Sequence, residues 1–205
     1  MSVLFVIVVT ALALAIVVAR RRTAAVALVA VQSVALGVYA LVHGFGESSA
    51  FLVGGVLLVG KGILLPLGLA WLVRRTREPR LIAGELPPLT RVTVAAAITL
   101  AAVALIPSLG LDSRAADQGA VALVVLGVVI AVLRRSAVFQ AVGFLVAENG
   151  VYLAALAAPG GLPAIVEIGV LFDLVIVVAV AAAFTRRIHD EFGTGDTTVL
   201  GSLRD

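Results

Sequence analysis

Apolar residues run along this chain in long blocks, and polar residues mark the gaps between them. Seven blocks stand out, at roughly Ser2–Ala19, Thr23–Val42, Ala50–Val73, Val92–Leu109, Gln118–Leu133, Ala137–Ala158 and Leu162–Thr185. About twenty such residues wound as an α-helix cross the hydrocarbon core of a bilayer. A helix also satisfies its backbone polar groups internally, as lipid requires. The pattern therefore predicts an all-α, polytopic membrane protein of about seven transmembrane helices. The connection APGGLP between the sixth and seventh blocks is short enough to make those helices antiparallel neighbours. The longest connection, Arg74–Arg91, contains Pro87-Pro88, which breaks any helix there. It separates a three-helix segment (1–74) from a four-helix segment (92–185), with a loop (75–91) between them and a polar tail (186–205) after them. Asp196 in that tail is placed to cap a short helix over TTVLGSL.

Composition agrees with the blocks and adds a direction. The chain is 62% hydrophobic and 13% charged, whereas a soluble domain is about half apolar. With the N-terminus outside, thirteen arginines fall in cytoplasmic segments and only Arg114 falls outside. That asymmetry predicts an external N-terminus, an odd number of spans and a cytoplasmic C-terminus. The net charge of +3 reflects these loop arginines, so a nucleic-acid partner is not implied; the partner that composition implies is the lipid bilayer. No basic residue precedes the first block and arginines follow it, the pattern of an uncleaved first helix and not of a signal peptide. The absence of cysteine excludes thiolate-held iron–sulfur clusters, disulfides and thiol nucleophiles in this chain. His43 and His189 lie near opposite helix ends, which argues against a bis-histidine haem.

The candidate chemistry is a small set of ionisable residues inside the blocks. Glu148 lies in QAVGFLVAENGVYLAAL, twelve residues beyond Ser136, or about 18 Å at 1.5 Å per residue. A carboxylate at that depth is costly unless protonated, paired or wetted. Desolvation disfavours its charged form, and a carboxyl poised near neutrality accepts and releases protons. The alternative is a protonated carboxyl joining helices. Gln140, Phe144, Glu148 and Tyr152 recur every four residues and predict a protein-facing side of the helix. Glu167 begins the last block, nearer the external face, where it is either a functional acid or an interfacial one. Asp173, six residues on, is near mid-membrane and about 120° round from Glu167. Which of the two faces the sixth helix stays open. Lys61, in LLVGKGILLPLGLAWL, is too deep for easy snorkelling and must pair or deprotonate. A relay lysine and a structural salt bridge to one of the acids look alike here. Its flanking glycines permit close approach by a neighbouring helix or by water, and Pro66 frees a carbonyl one turn back. Gln32 reads as a helix–helix hydrogen bond, and His43 as an interfacial residue.

The last third of the chain carries a resemblance. AENG with Glu148, the run from Pro163 through Glu167 into GVLFD with Asp173, and the tail RIHDEF…DTTVLGSL are similar to component E of the hydrogenase-4 group. Those proteins are membrane subunits of formate hydrogenlyase-type, complex-I-like assemblies. They are similar in turn to the K subunit of complex I and the C subunit of multisubunit cation/proton antiporters. The match covers about Gly143 to Asp205, with KGILLPLGLAWLVRR around Lys61 as a weaker upstream element. The resemblance implies a subunit of an oxidoreductase complex with no active site or cofactor of its own. Its buried carboxylates would belong to a proton path containing Glu148, Glu167, Lys61 and Asp173. The implied partners are antiporter-like membrane subunits, a membrane anchor subunit and a soluble hydrogenase-like module with nickel–iron and iron–sulfur centres. The implied location is the inner (plasma) membrane. The alternative is a cation/proton antiporter component or a stand-alone secondary transporter, against which the lack of an internal repeat weighs.

Overall fold

Among the described residues six α-helices follow one another: α1 (Val3–Val18), α2 (Arg22–Gly44), α3 (Ser49–Arg75), α4 (Pro88–Leu105), α5 (Arg114–Leu133) and α6 (Ala137–Leu156). The computed structural model describes residues 1–44, 49–75, 86–134 and 136–159, all within one unit, Met1–Val166. The seventh block, the tail and most of the 75–91 loop lie outside the described residues. Every regular element among the described residues is an α-helix, as the blocks require. Four of its helices, represented by Arg22–His43, Pro88–Leu105, Arg114–Leu133 and Val138–Leu156, are long and apolar enough to cross a membrane. Val3–Val18 and Leu58–Ala70 are shorter apolar stretches.

Helix ends follow local chemistry. Ser2 caps α1 by accepting a hydrogen bond from the Phe5 amide, and Ser113 caps α5 by accepting from Ala116. The largest departure from the block limits is in α4, which starts at Pro88 instead of Val92 and stops at Leu105 instead of Leu109. Pro88 does not break this helix; it begins it, because the first helical position needs no amide hydrogen and suits the fixed φ of proline. The end is set by Pro107, whose ring pushes Ile106 out of the helical region, to φ −78° and ψ 125°. The interior Pro66 is accommodated within α3.

Two pairs, α2 with α3 and α5 with α6, make the closest contacts; α1 links them by touching both α2 and α5, and α2 also meets α6. Small residues permit the tight approach. A Cβ added at Gly127 would stand 2.3 Å from the Ala147 amide nitrogen, and one at Gly143 would stand 2.6 Å from the Gly127 carbonyl oxygen. The α5 and α6 backbones therefore touch. Gly37 and Gly55 do the same for α2 and α3. Around these seams Val9, Ile16, Leu36, Leu126, Phe139 and Leu153 form the buried core.

Contacts at the helix ends divide the bundle into two levels. At one, the Arg134 guanidinium donates to the Ala19 carbonyl (3.0 Å) and lies 3.4 Å above the Phe139 ring. The junctions α1–α2 and α5–α6 thus adjoin. At the other, Phe5 stacks on Tyr39 and Tyr39 on His43, while the Asp112 amide donates to the Ala157 carbonyl (2.8 Å).

Candidate functional site

Lys61 on α3 and Glu148 on α6 form an ion pair inside the bundle, with side chains 13% and 10% exposed. The Lys61 ammonium also lies over the Tyr152 ring, 5.1 Å from its centre. Tyr152 is one helical turn beyond Glu148, so α6 presents an anion and a π-face to the same cation. Counted from the arginine-bearing helix ends, Glu148 is twelve residues from Ser136 and Lys61 thirteen from Arg74. Both depths come to roughly 18–20 Å, near the middle of a span. Two charges removed from water at that depth hold together only when paired and hydrogen-bonded.

A fully buried polar cluster adjoins the pair. Asn149, the next residue after Glu148, donates through Nδ2 to Gln32 Oε1 and to Ser33 Oγ, both at 3.0 Å. The Ser33 hydroxyl is also 3.1 Å from Asn149 Oδ1. Gln32 Nε2 donates to the Val9 carbonyl at 2.8 Å, which ties the cluster to α1. Gln32, Ser33 and Asn149 are 0%, 4% and 1% exposed. Each of these groups would cost about 1–3 kcal/mol if left without a partner in the interior. The Lys61–Glu148 pair and this cluster thus form a polar belt across α1, α2, α3 and α6 at one depth.

Several sequence expectations meet this geometry directly. Lys61 and Glu148 are brought together, and Gln32 makes the interhelical hydrogen bonds expected of it. The shared protein-facing side for Gln140, Phe144, Glu148 and Tyr152 does not hold. Gln140 is exposed and Phe144 is 56% exposed, whereas Tyr152 is 3%. Four-residue steps drift by about 40° each, so the two ends of that row stand about 120° apart. The buried face is instead Val138, Phe139, Val142, Val146, Asn149 and Leu153, at mixed spacings of three and four. The two glycines beside Lys61 also differ. A Cβ at Gly62 would lie 2.9 Å from Ser33 Cβ, while Gly60 has open space. Glu167 and Asp173 lie outside the described residues.

Asn149 and Ser33 were not singled out from the sequence, because an amide and a hydroxyl add no charge to an apolar block. The adjacency of Asn149 to Glu148 and Gly150 was the available signal. Asp117 also has a role beyond bounding the fifth block. It stands in the first turn of α5, 8% exposed, and accepts from Ser108 Oγ (2.5 Å) and the Leu111 amide (3.1 Å). An acid in the first turn complements the helix dipole, and here it pins the α4–α5 loop. Among the described residues no three His, Cys, Asp or Glu side chains come together as a metal site would require. An apolar groove of about 950 Å³ runs along α2 and α3, past Val34, Val38, Ile63 and Leu67; Lys61 and Glu148 do not line it.

No family model matches the chain, and no solved structure resembles it. A relative does: the chain is 32% identical over 197 residues to "Uncharacterized protein Rv0085" of Mycobacterium tuberculosis (strain ATCC 25618 / H37Rv). The match covers 91% of this chain and 88% of the mycobacterial protein. The chain belongs to the same protein family as this mycobacterial relative.

Proposed function

We propose that this protein is a non-catalytic membrane subunit of a hydrogenase-4-type, complex-I-like assembly that couples redox chemistry to proton movement. In this reading Glu148 and Lys61 lie on the proton path. The observation that carries it is the buried Lys61–Glu148 pair at mid-span depth. An acid and a base in contact there can exchange a proton between charged and neutral forms of the pair. Neighbouring charges decide which form is held: at an effective dielectric of about 20, one charge about 7 Å away acts with roughly 2 kcal/mol. That is enough to move a proton population more than tenfold. The partners are antiporter-like membrane subunits, an anchor subunit and a soluble module carrying the nickel–iron and iron–sulfur centres. The chain spans the plasma membrane seven times, with its N-terminus outside and its tail in the cytoplasm. Glu167 and Asp173 continue the path in the seventh helix.

The test is Glu148→Gln, which keeps size and hydrogen bonding but cannot ionise. The expected result is a complex that still assembles, in an amount lowered by the unpaired Lys61 charge, with loss of coupled proton translocation in vesicles, normalised to assembled complex. Glu148→Asp retains a substantial part and Glu148→Ala recovers little. Full translocation by Glu148→Gln would make the pair a lock between α3 and α6 and end the proton-path reading.

A further inference from the structure

Both members of the Lys61–Glu148 pair are registered against one residue of a third helix. Asn149, adjacent to Glu148, is hydrogen-bonded to Ser33 and Gln32. Gly62, adjacent to Lys61, is packed so closely on Ser33 that an added Cβ would lie 2.9 Å from Ser33 Cβ and 3.1 Å from the Val34 amide nitrogen. Ser33 is thus the common reference for the α6 residue carrying the acid and the α3 residue carrying the base. Gln32 extends the same fixture to the Val9 carbonyl of α1. None of these groups is titratable, and all are buried.

We propose that Ser33 and Asn149 are positioning residues that set the separation of the Lys61 ammonium and the Glu148 carboxylate, with the Gly62 contact holding the α3 side of the same register. Helices are stiff over one turn, so a displacement at Ser33 passes directly to its neighbours' neighbours. Losing the Asn149 amide frees α6 to rotate and carries Glu148 away from Lys61. Adding a methyl at position 62 pushes α3 off α2 and carries Lys61 away from Glu148. The two perturbations act on opposite members of the pair and have the same consequence: the carboxylate loses part of its stabilising charge. This deepens the proton-path reading, but its test reads the pair itself, so the two stand or fall separately.

The experiment titrates Glu148 in the full chain reconstituted in lipid vesicles. Its carboxyl infrared band is identified by disappearance in Glu148→Gln. In Ser33→Ala, Asn149→Ala and Gly62→Ala the titration midpoint is expected to move by about one pH unit from the parent. Gly62→Ala removes no polar group, so its shift reports displacement alone. Gly60→Ala, whose added methyl meets nothing within 4 Å, keeps the parent midpoint. Midpoints within about 0.3 unit of the parent in all three variants, or an equal shift in Gly60→Ala, would overturn the proposal. If Asn149→Ala fails to fold, Ser33→Ala decides: a folded Ser33→Ala with the parent midpoint overturns it. Lost translocation in Glu148→Gln with unshifted midpoints sinks the positioning role and spares the proton path. The reverse pair of outcomes does the opposite.

Discussion

Lys61 and Glu148 stabilise the bundle only as a pair. A charge buried without its partner is far more costly than the pair is favourable, and removing one member of a buried pair costs about 3–5 kcal/mol. Lys61→Met should therefore destabilise the protein by about 3 kcal/mol. Adding Glu148→Leu removes the orphan charge, and the double variant should return to within about 1 kcal/mol of the parent. Unfolding in mixed detergent micelles checks this. A double variant no better than the single would show that the pair does not carry the charges assigned to it.

At the scale of helices, what the chain made legible was what charge and bulk hydrophobicity announce. The six described helices follow the apolar blocks, and Lys61, Glu148 and Gln32 stood out as polar intrusions. Asn149, Ser33 and Gly62 did not, because their roles depend on which helices meet, and a row of four-residue repeats placed Phe144 on the wrong side. Neither did the limits of α4, where prolines at both ends do opposite jobs. Glycines make the same point. Gly127, Gly143, Gly60 and Gly68 are all helical, yet only the first two sit where backbones touch. Gly127→Ala must drive the Ala147 amide away from 2.3 Å, and overpacking of this kind costs about 1–3 kcal/mol. Gly68→Ala meets nothing within 4 Å and should stabilise α3 by up to about 1 kcal/mol, the helix propensity difference. Thermal unfolding in detergent should separate the two by several degrees, in opposite directions from the parent. Equal effects would mean that α5 and α6 do not approach as closely as Gly127 and Gly143 indicate.

Across the whole molecule, charge and topology support each other. The junction held by Arg134 and Ala19 lies at the level where Arg20, Arg21 and Arg22 connect α1 to α2. Arg91 opens α4 in its first turn and is buried there. The opposite level carries the Phe5–Tyr39–His43 stack and the loop pinned by Asp117, with the acids Asp112 and Asp117 beside the lone Arg114. Arginines gathered at one level match the loop asymmetry that predicts this end to be the cytoplasmic one. Because the chain contains no cysteine, single introduced cysteines can be labelled without background. An impermeant maleimide added to intact cells should label Ser48→Cys and Asp112→Cys and leave Arg80→Cys and Thr197→Cys untouched until the membrane is opened. The opposite pattern would invert the bundle and exchange the aqueous faces from which Glu148 and Lys61 are reached. Labelling of Thr197→Cys together with Asp112→Cys would instead make the number of spans even and overturn the proposed topology.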